Sequence, residues 1–146
     1  RNLRVRFGTP LNDIIAAAGG LPENTGKVIA GGPMMGRAVS NLESTTSKRT
    51  SGLLIMPDRL SKRAPMENCI RCGKCVDACP MALEPYLLYS LTEHEMWDRL
   101  EQEQIMDCIE CGCCLFSCPS HRPLLDYVRL GKATVGGIIR NRNAKK

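Results

Sequence analysis

Hydrophobic and polar positions divide the chain into a first half with strand-like alternation and a second half with helical spacing. Near the start, Leu3, Val5 and Phe7 alternate with Arg4 and Arg6, which predicts a short strand with one wet face. Thr9 stands where an N-cap is expected and Pro10 at the first helical position. Leu11, Ile14, Ile15 and Ala18 then form the apolar face of a helix that Gly19-Gly20 stops. Lys27 to Ala30 reads as a buried strand, Gly31-Gly32-Pro33 turns the chain, and Arg37 to Val39 and Gly52 to Met56 read as further strands. Between them Asn41 to Ser51 is rich in Ser and Thr and predicts an exposed loop. Residues 1–56 therefore suggest a small β-grasp-like unit, too short for a dinucleotide-binding fold.

Residues 57–66 carry Asp58, Arg59, Lys62 and Arg63 between Pro57 and Pro65, a linker with room for one helical turn. From 67 to 146 the strong periodicity is helical. Pro85 can open a helix through Leu91, and His94 to Met106 continues helically with Met96, Trp97 and Leu100 facing inward. Pro123 opens a last helix on which Leu124, Val128, Val135, Ile138 and Ile139 recur at helical spacing. Gly131 and Gly136-Gly137 weaken it, and Arg140 to Lys146 predicts a frayed basic tail. The expected class is α+β: a β-grasp-like domain followed by an α-helical domain.

The helical half is punctuated by one stretch that occurs twice. Cys69, Cys72, Cys75, Cys79 and Pro80 return as Cys108, Cys111, Cys114, Cys118 and Pro119, both spelling C-x2-C-x2-C-x3-C-P at a constant offset of 39 residues. This is the bacterial-type run that holds a 4Fe–4S cluster through thiolates. Three closely spaced cysteines cover three corners of a cubane, and Gly73 and Gly112 let the backbone pass close to inorganic sulfur. In two-cluster proteins the fourth cysteine serves the other cluster. The expected sets are therefore Cys69, Cys72, Cys75 and Cys118 for one cluster, and Cys108, Cys111, Cys114 and Cys79 for the second. Ile70, Val76, Ile109 and Leu115 are expected to shield the clusters from water. Paired zinc sites usually present two separated C-x2-C knuckles, so the spacing favours cubanes over zinc. A disulfide framework is disfavoured by thiols this dense with nothing indicating secretion. Cys113, the ninth cysteine, is expected to be a buried thiol beside a cluster.

Composition changes this picture little. The formal charge is +5 with thiols counted as neutral. Two cubanes with their thiolates, each about −2, bring the loaded chain to about +1. The basic balance is then no argument for nucleic acid. No apolar run approaches the ~20 residues of a membrane helix, so no transmembrane segment is expected here. Met34 and Met35 are expected to fill core space, Trp97 to anchor helices, His94 to face solvent, and His121 to cap a helix or face solvent. Gly31 to Gly36 lacks the spacing of a phosphate-binding loop and points to close packing against the cluster domain. Arg71 and Glu110, at matching positions, are expected to be exposed charges.

With these motifs in view a resemblance can be stated. Phe7-Gly8-Thr9-Pro10-Leu11, then Gly19-Gly20, then Gly31-Gly32-Pro33-Met34-Met35-Gly36 looks like the SLBB module, a ligand-binding β-grasp. Followed by two cubane motifs, it resembles the C-terminal part of the C subunit of the Rnf electron transport complex, from about Arg1 to Ile139. That resemblance implies a peripheral subunit on the cytoplasmic side of the bacterial inner membrane, in an ion-translocating NAD–ferredoxin oxidoreductase. It implies partners among the other subunits, above all one with iron–sulfur centres. It also implies FMN and NAD sites in a domain preceding the SLBB module, so this stretch is expected to act as an electron carrier without a flavin or NAD site. Two other readings stay open: the corresponding part of a soluble cobalamin reductase of the propanediol-utilisation type, and a β-grasp ligand receptor whose clusters are only structural.

Overall fold

The computed structural model describes residues 1–145. Among them two compact units form, Arg1–Arg63 and a second beginning at Ala64. In the first unit, helix α1 (Leu11–Ala18) precedes strands β1 (Thr25–Ala30), β2 (Arg37–Ala38) and β3 (Leu53–Pro57), and the turn α2 (Asp58–Ser61) follows. The sheet is antiparallel in the order β2-β1-β3, with Ile29 opposite Ala38 on one side and Leu54 on the other. Val28 and Ile29 are buried in its central strand, as are Leu11 and Ile15 on α1. Gly26 allows α2 to lie against β1: a Cβ there would stand 2.5 Å from the Asp58 Cα. Lys27 Nζ ties the same two elements by donating to the Ser61 carbonyl at 2.9 Å.

Several expectations for this unit change. Leu3 to Phe7 forms no ladder with the sheet, and Phe7 stays 69% exposed. Its backbone partners come later: Gly8 N–H donates to Thr46 O and Leu11 N–H to Ser44 O, which also orders part of the polar 41–51 loop. Thr9 is not the N-cap. Its Oγ1 donates to the Arg6 carbonyl at 2.8 Å, and Pro10 holds the cap position. Met34 and Met35 are exposed at the turn rather than core filler. The tight approach at Gly31 to Gly36 is internal to that turn: a Cβ on Gly36 would strike the Gly32 carbonyl and Ile29.

The second unit is helical: α3 (Lys74–Asp77), α4 (Pro85–Glu93), α5 (Trp97–Gln102), a 3-10 turn (Ile105–Asp107), α6 (Cys113–Ser117) and α7 (Leu124–Ala144). Leu83, Leu88, Leu91, Leu100, Ile105, Val128 and Val135 make one core, with Trp97 packed at its edge as expected of a helix anchor. The span from His94 to Met106 is broken, because Glu95 and Gln104 take positive φ on either side of α5. That break leaves Met96 45% exposed, contrary to its expected inward face. The basic stretch is helical as far as Ala144, held by an Arg142–Glu101 ion pair between α7 and α5; Lys146 lies outside the described residues.

Gly131 weakens α7 by propensity, yet packing requires it. A Cβ would stand 2.5 Å from Thr92 Oγ1, 2.7 Å from Leu100 Cδ2 and 2.9 Å from Ile105 Cδ1. Leu100 and Ile105 are fully buried and Thr92 is held by its bond to Leu88 O, so none can yield cheaply. Overpacking of about 1–3 kcal/mol outweighs a helix gain of about 1 kcal/mol. Gly131→Ala is therefore expected to lower the urea midpoint of the second unit; an unchanged or higher midpoint would show that α7 can shift freely.

Candidate metal centres

Each cysteine run builds the same local backbone. Arg71 and Glu110 take positive φ (54° and 55°), Gly73 and Gly112 follow at 75° and 82°, and Ala82 and His121 close the motifs at 53° and 50°. These pairs stand 39 residues apart, as the cysteines do. The left-handed residues turn the loop around each site, and in non-glycine positions each costs about 1–2 kcal/mol. Gly73 and Gly112 lead into α3 and α6, which carry Cys75 and Cys114. Val76 N–H donates to Gly73 O, and Phe116 N–H to Gly112 O, closing the two short helices. The same offset relates the starts of α4 and α7 at Pro85 and Leu124. His121, the left-handed residue of the second copy, does not cap α7, whose cap position is Pro123.

The cysteines gather in two places. Cys69, Cys72, Cys75 and Cys118 line an open cavity of about 620 Å³ together with Tyr86, Tyr89, Glu93 and Arg122. Cys79, Cys108, Cys111 and Cys114 line a second, narrower space of about 20 Å³ against Leu83, Leu88, Leu125 and Val128, hence against the helical core. Each place combines three cysteines of one motif with the last cysteine of the other. Among the described residues no three metal-ligating side chains converge closely enough to grip a single ion. Thiols spread around a space suit a polynuclear cluster better than one zinc ion. The donor set fits a cubane at both places. The first place offers the larger space, and the second is narrower.

Burial acts on these thiols. It pushes Cys75 and Cys108 above the ordinary thiol value and Cys114 to about 12, and neighbouring thiols add to the shift: Cys118 for Cys75, Cys111 and Cys79 for Cys108. Lys132 opposes it at Cys108, where its ammonium donates to the Cys108 carbonyl. Glu110 N–H donates to Cys108 Sγ at 3.4 Å. The Cys113 thiol, half-buried, donates to Cys111, which raises its pKa. Glu110 is no free surface charge: it pairs with Arg129 of α7 at 3.0 Å, both half-buried, whereas Arg71 is exposed. Of the expected shields, Val76 and Leu115 are half-buried, but Ile70 and Ile109 stand 68% and 52% exposed.

With the geometry in place, the comparisons with known proteins can be read. The SLBB domain family matches residues 1–38. The 4Fe-4S dicluster domain family matches residues 61–119, which include all nine cysteines. The chain is 42% identical over 135 residues to the C subunit of the Na(+)-translocating ferredoxin:NAD(+) oxidoreductase complex of Acetobacterium woodii, covering 92% of this chain and 30% of that protein. It is 43% identical over 134 residues to the proton-translocating counterpart of Clostridium ljungdahlii, covering 91% and 29%. With the C subunit of the ion-translocating oxidoreductase complex of Actinobacillus succinogenes it shares 44% over 139 residues, covering 94% and 20%. The chain is similar to part of a C subunit. It spans less than a third of the length of these relatives, and no helix among the described residues is long and apolar enough to cross a membrane.

The Tyr and Arg residues around the open cavity carry no motif of their own in the sequence. Arg122 lies 4.4 Å over the Tyr89 ring, and Tyr89 packs on Tyr127 with centroids 4.4 Å apart. The signal that could have found them is the repeat itself, extended past the last cysteine into α4 and α7.

In the metal-free chain the two thiol sets should differ in reactivity. Cys69 and Cys72 are exposed, whereas Cys114 is half-buried and almost wholly protonated at pH 8. Time-resolved alkylation at pH 8, mapped by mass spectrometry, is expected to modify Cys114 at least about tenfold more slowly than Cys69; equal rates would refute the shielding of Cys114. Because the folded value lies above the unfolded one, the unfolded chain loses this proton first. Stability should therefore fall as pH rises from 9 toward about 12.

Proposed function

We propose that this chain relays single electrons through two 4Fe–4S clusters, as part of the peripheral C subunit of an ion-translocating ferredoxin–NAD⁺ oxidoreductase. The observation that carries the proposal is the grouping of the eight motif cysteines into two sets that cross between the copies. One cluster takes Cys69, Cys72, Cys75 and Cys118, and the other takes Cys108, Cys111, Cys114 and Cys79. The clusters supply reversible one-electron redox chemistry when bound. The chain's own residues fix their separation, control water access and aim N–H groups at sulfur, as Glu110 does at Cys108. The names of the relatives support the ferredoxin–NAD⁺ assignment.

Flavin and nicotinamide chemistry is assigned to a domain preceding the SLBB module, outside residues 1–146. The subunit sits on the cytoplasmic face of the membrane against other subunits, one of which holds iron–sulfur centres that exchange electrons with this chain. Cys113 hydrogen-bonds Cys111 and serves as a neighbour, not a ligand.

Anaerobic reconstitution followed by iron and sulfide analysis tests the proposal. About eight irons per chain are expected, with a spin-coupled EPR signal from two reduced cubanes. Cys118→Ser should abolish the cluster of Cys69, Cys72 and Cys75 and leave the cluster of Cys108, Cys111, Cys114 and Cys79. Zinc in place of iron, or loss of the cluster on Cys108 instead, would contradict it.

A further inference from the structure

The duplication reaches beyond the cysteines into the walls of the two sites. Apart from Leu88, every residue lining the narrower space has a counterpart, 39 residues away, lining the open cavity. Three of these pairs have changed character. Tyr86 faces the open cavity where Leu125 faces the narrower one, Tyr89 matches Val128, and Arg122 matches Leu83. One wall is polar and charged, and its copy is aliphatic. The open cavity also exposes Cys69 and Cys72 to solvent, whereas Leu83, Leu125 and Val128 are buried behind the other cysteines.

Charges also stand near each site. In the open cavity Arg122 stands 3.8 Å from Glu93, with its side chain only 16% exposed, and Arg71 adds a further cation. At the narrower site, Lys132 holds the Cys108 carbonyl and its charge reaches the Cys108 thiol, and Arg129 pairs with Glu110, but none of these side chains lines the space itself.

From this we infer that Arg122, Tyr86 and Tyr89 set the cluster site of Cys69, Cys72, Cys75 and Cys118 at a higher reduction potential than the site walled by Leu83, Leu125 and Val128. Reduction adds a negative charge to a cluster. Nearby cations, polar groups and water stabilise that charge, and an apolar wall opposes it. The two sites are thus an ordered pair, with the open one holding the electron at equilibrium. Arg122, Tyr86 and Tyr89 are positioning residues for electron occupancy. The inference rests on the two-cluster reading proposed above.

Redox titration of the reconstituted chain, followed by EPR, tests it. Two midpoints are expected, separated by at least a tenfold difference in equilibrium constant, about 59 mV for one electron. Arg122→Leu, which installs the residue type found at Leu83, should lower the upper midpoint alone by about tenfold in the same constant. The Glu93 carboxylate it leaves behind would push in the same direction. Arg122→Lys should restore most of the difference. Tyr86, 44% exposed, can be changed with little risk to the fold, and Tyr86→Leu should move the same midpoint downward by less. Coincident midpoints, a shift confined to the lower couple, or no shift in either variant at full iron content would overturn the inference while leaving the two-cluster reading intact. A chain that takes up no iron would overturn both.

Discussion

Thiol convergence governs the second unit. Each thiol-lined site takes three cysteines from one motif and the last from the other, so neither motif completes a site alone. The chain must therefore bring α3 and α6 together and return its fourth cysteine across to the other copy. The paired left-handed residues at 71 and 110, 73 and 112, and 82 and 121 are the backbone consequence. Strain of this kind persists only where the surroundings over-determine it. Here the helices starting at Pro85 and Leu124 close the frame, and Leu88 and Val128 of the core line the narrower site. Metal binding and folding are then coupled, because thiols held protonated by burial must lose protons to receive a cluster.

Duplication explains both the likeness and the inequality of the sites. A shared offset preserved the ligands and the turns, whose geometry tolerates little change. The walls answer to a looser constraint, filling space beside a cluster, and can diverge from leucine to arginine without breaking the frame. Electron transfer between two like clusters needs such divergence if one is to be favoured over the other. The Glu110–Arg129 pair and the Lys132 contact show the same divergence outside the cavities, since their counterparts Arg71 and Glu93 are arranged differently.

Much of this was legible in the sequence, where spacing follows directly from bonding. Thiolate geometry dictates three-residue steps, so the eight cysteines announced themselves, and helix α4 followed from Pro85. Other elements depended on partners that periodicity does not name. Leu3 to Phe7 alternates like a strand but joins no ladder, while Thr9 turns its hydroxyl back to Arg6. Met96 fits a continuous helix but not one broken by Glu95 and Gln104 in left-handed conformations. Gly131 looked like a flaw in α7 until Leu100 and Ile105 occupied the space its side chain would need. Arg122 carried no motif at all; only its place opposite Leu83 in the repeat gives it meaning.

Crystallography of the anaerobically reconstituted chain at the iron absorption edge would show whether the two cluster sites are built across the repeat. Two separate iron clusters are expected, one bonded to Cys69, Cys72, Cys75 and Cys118, the other to Cys79, Cys108, Cys111 and Cys114. Clusters each bonded to the four cysteines of a single motif, or single ions in place of clusters, would contradict it.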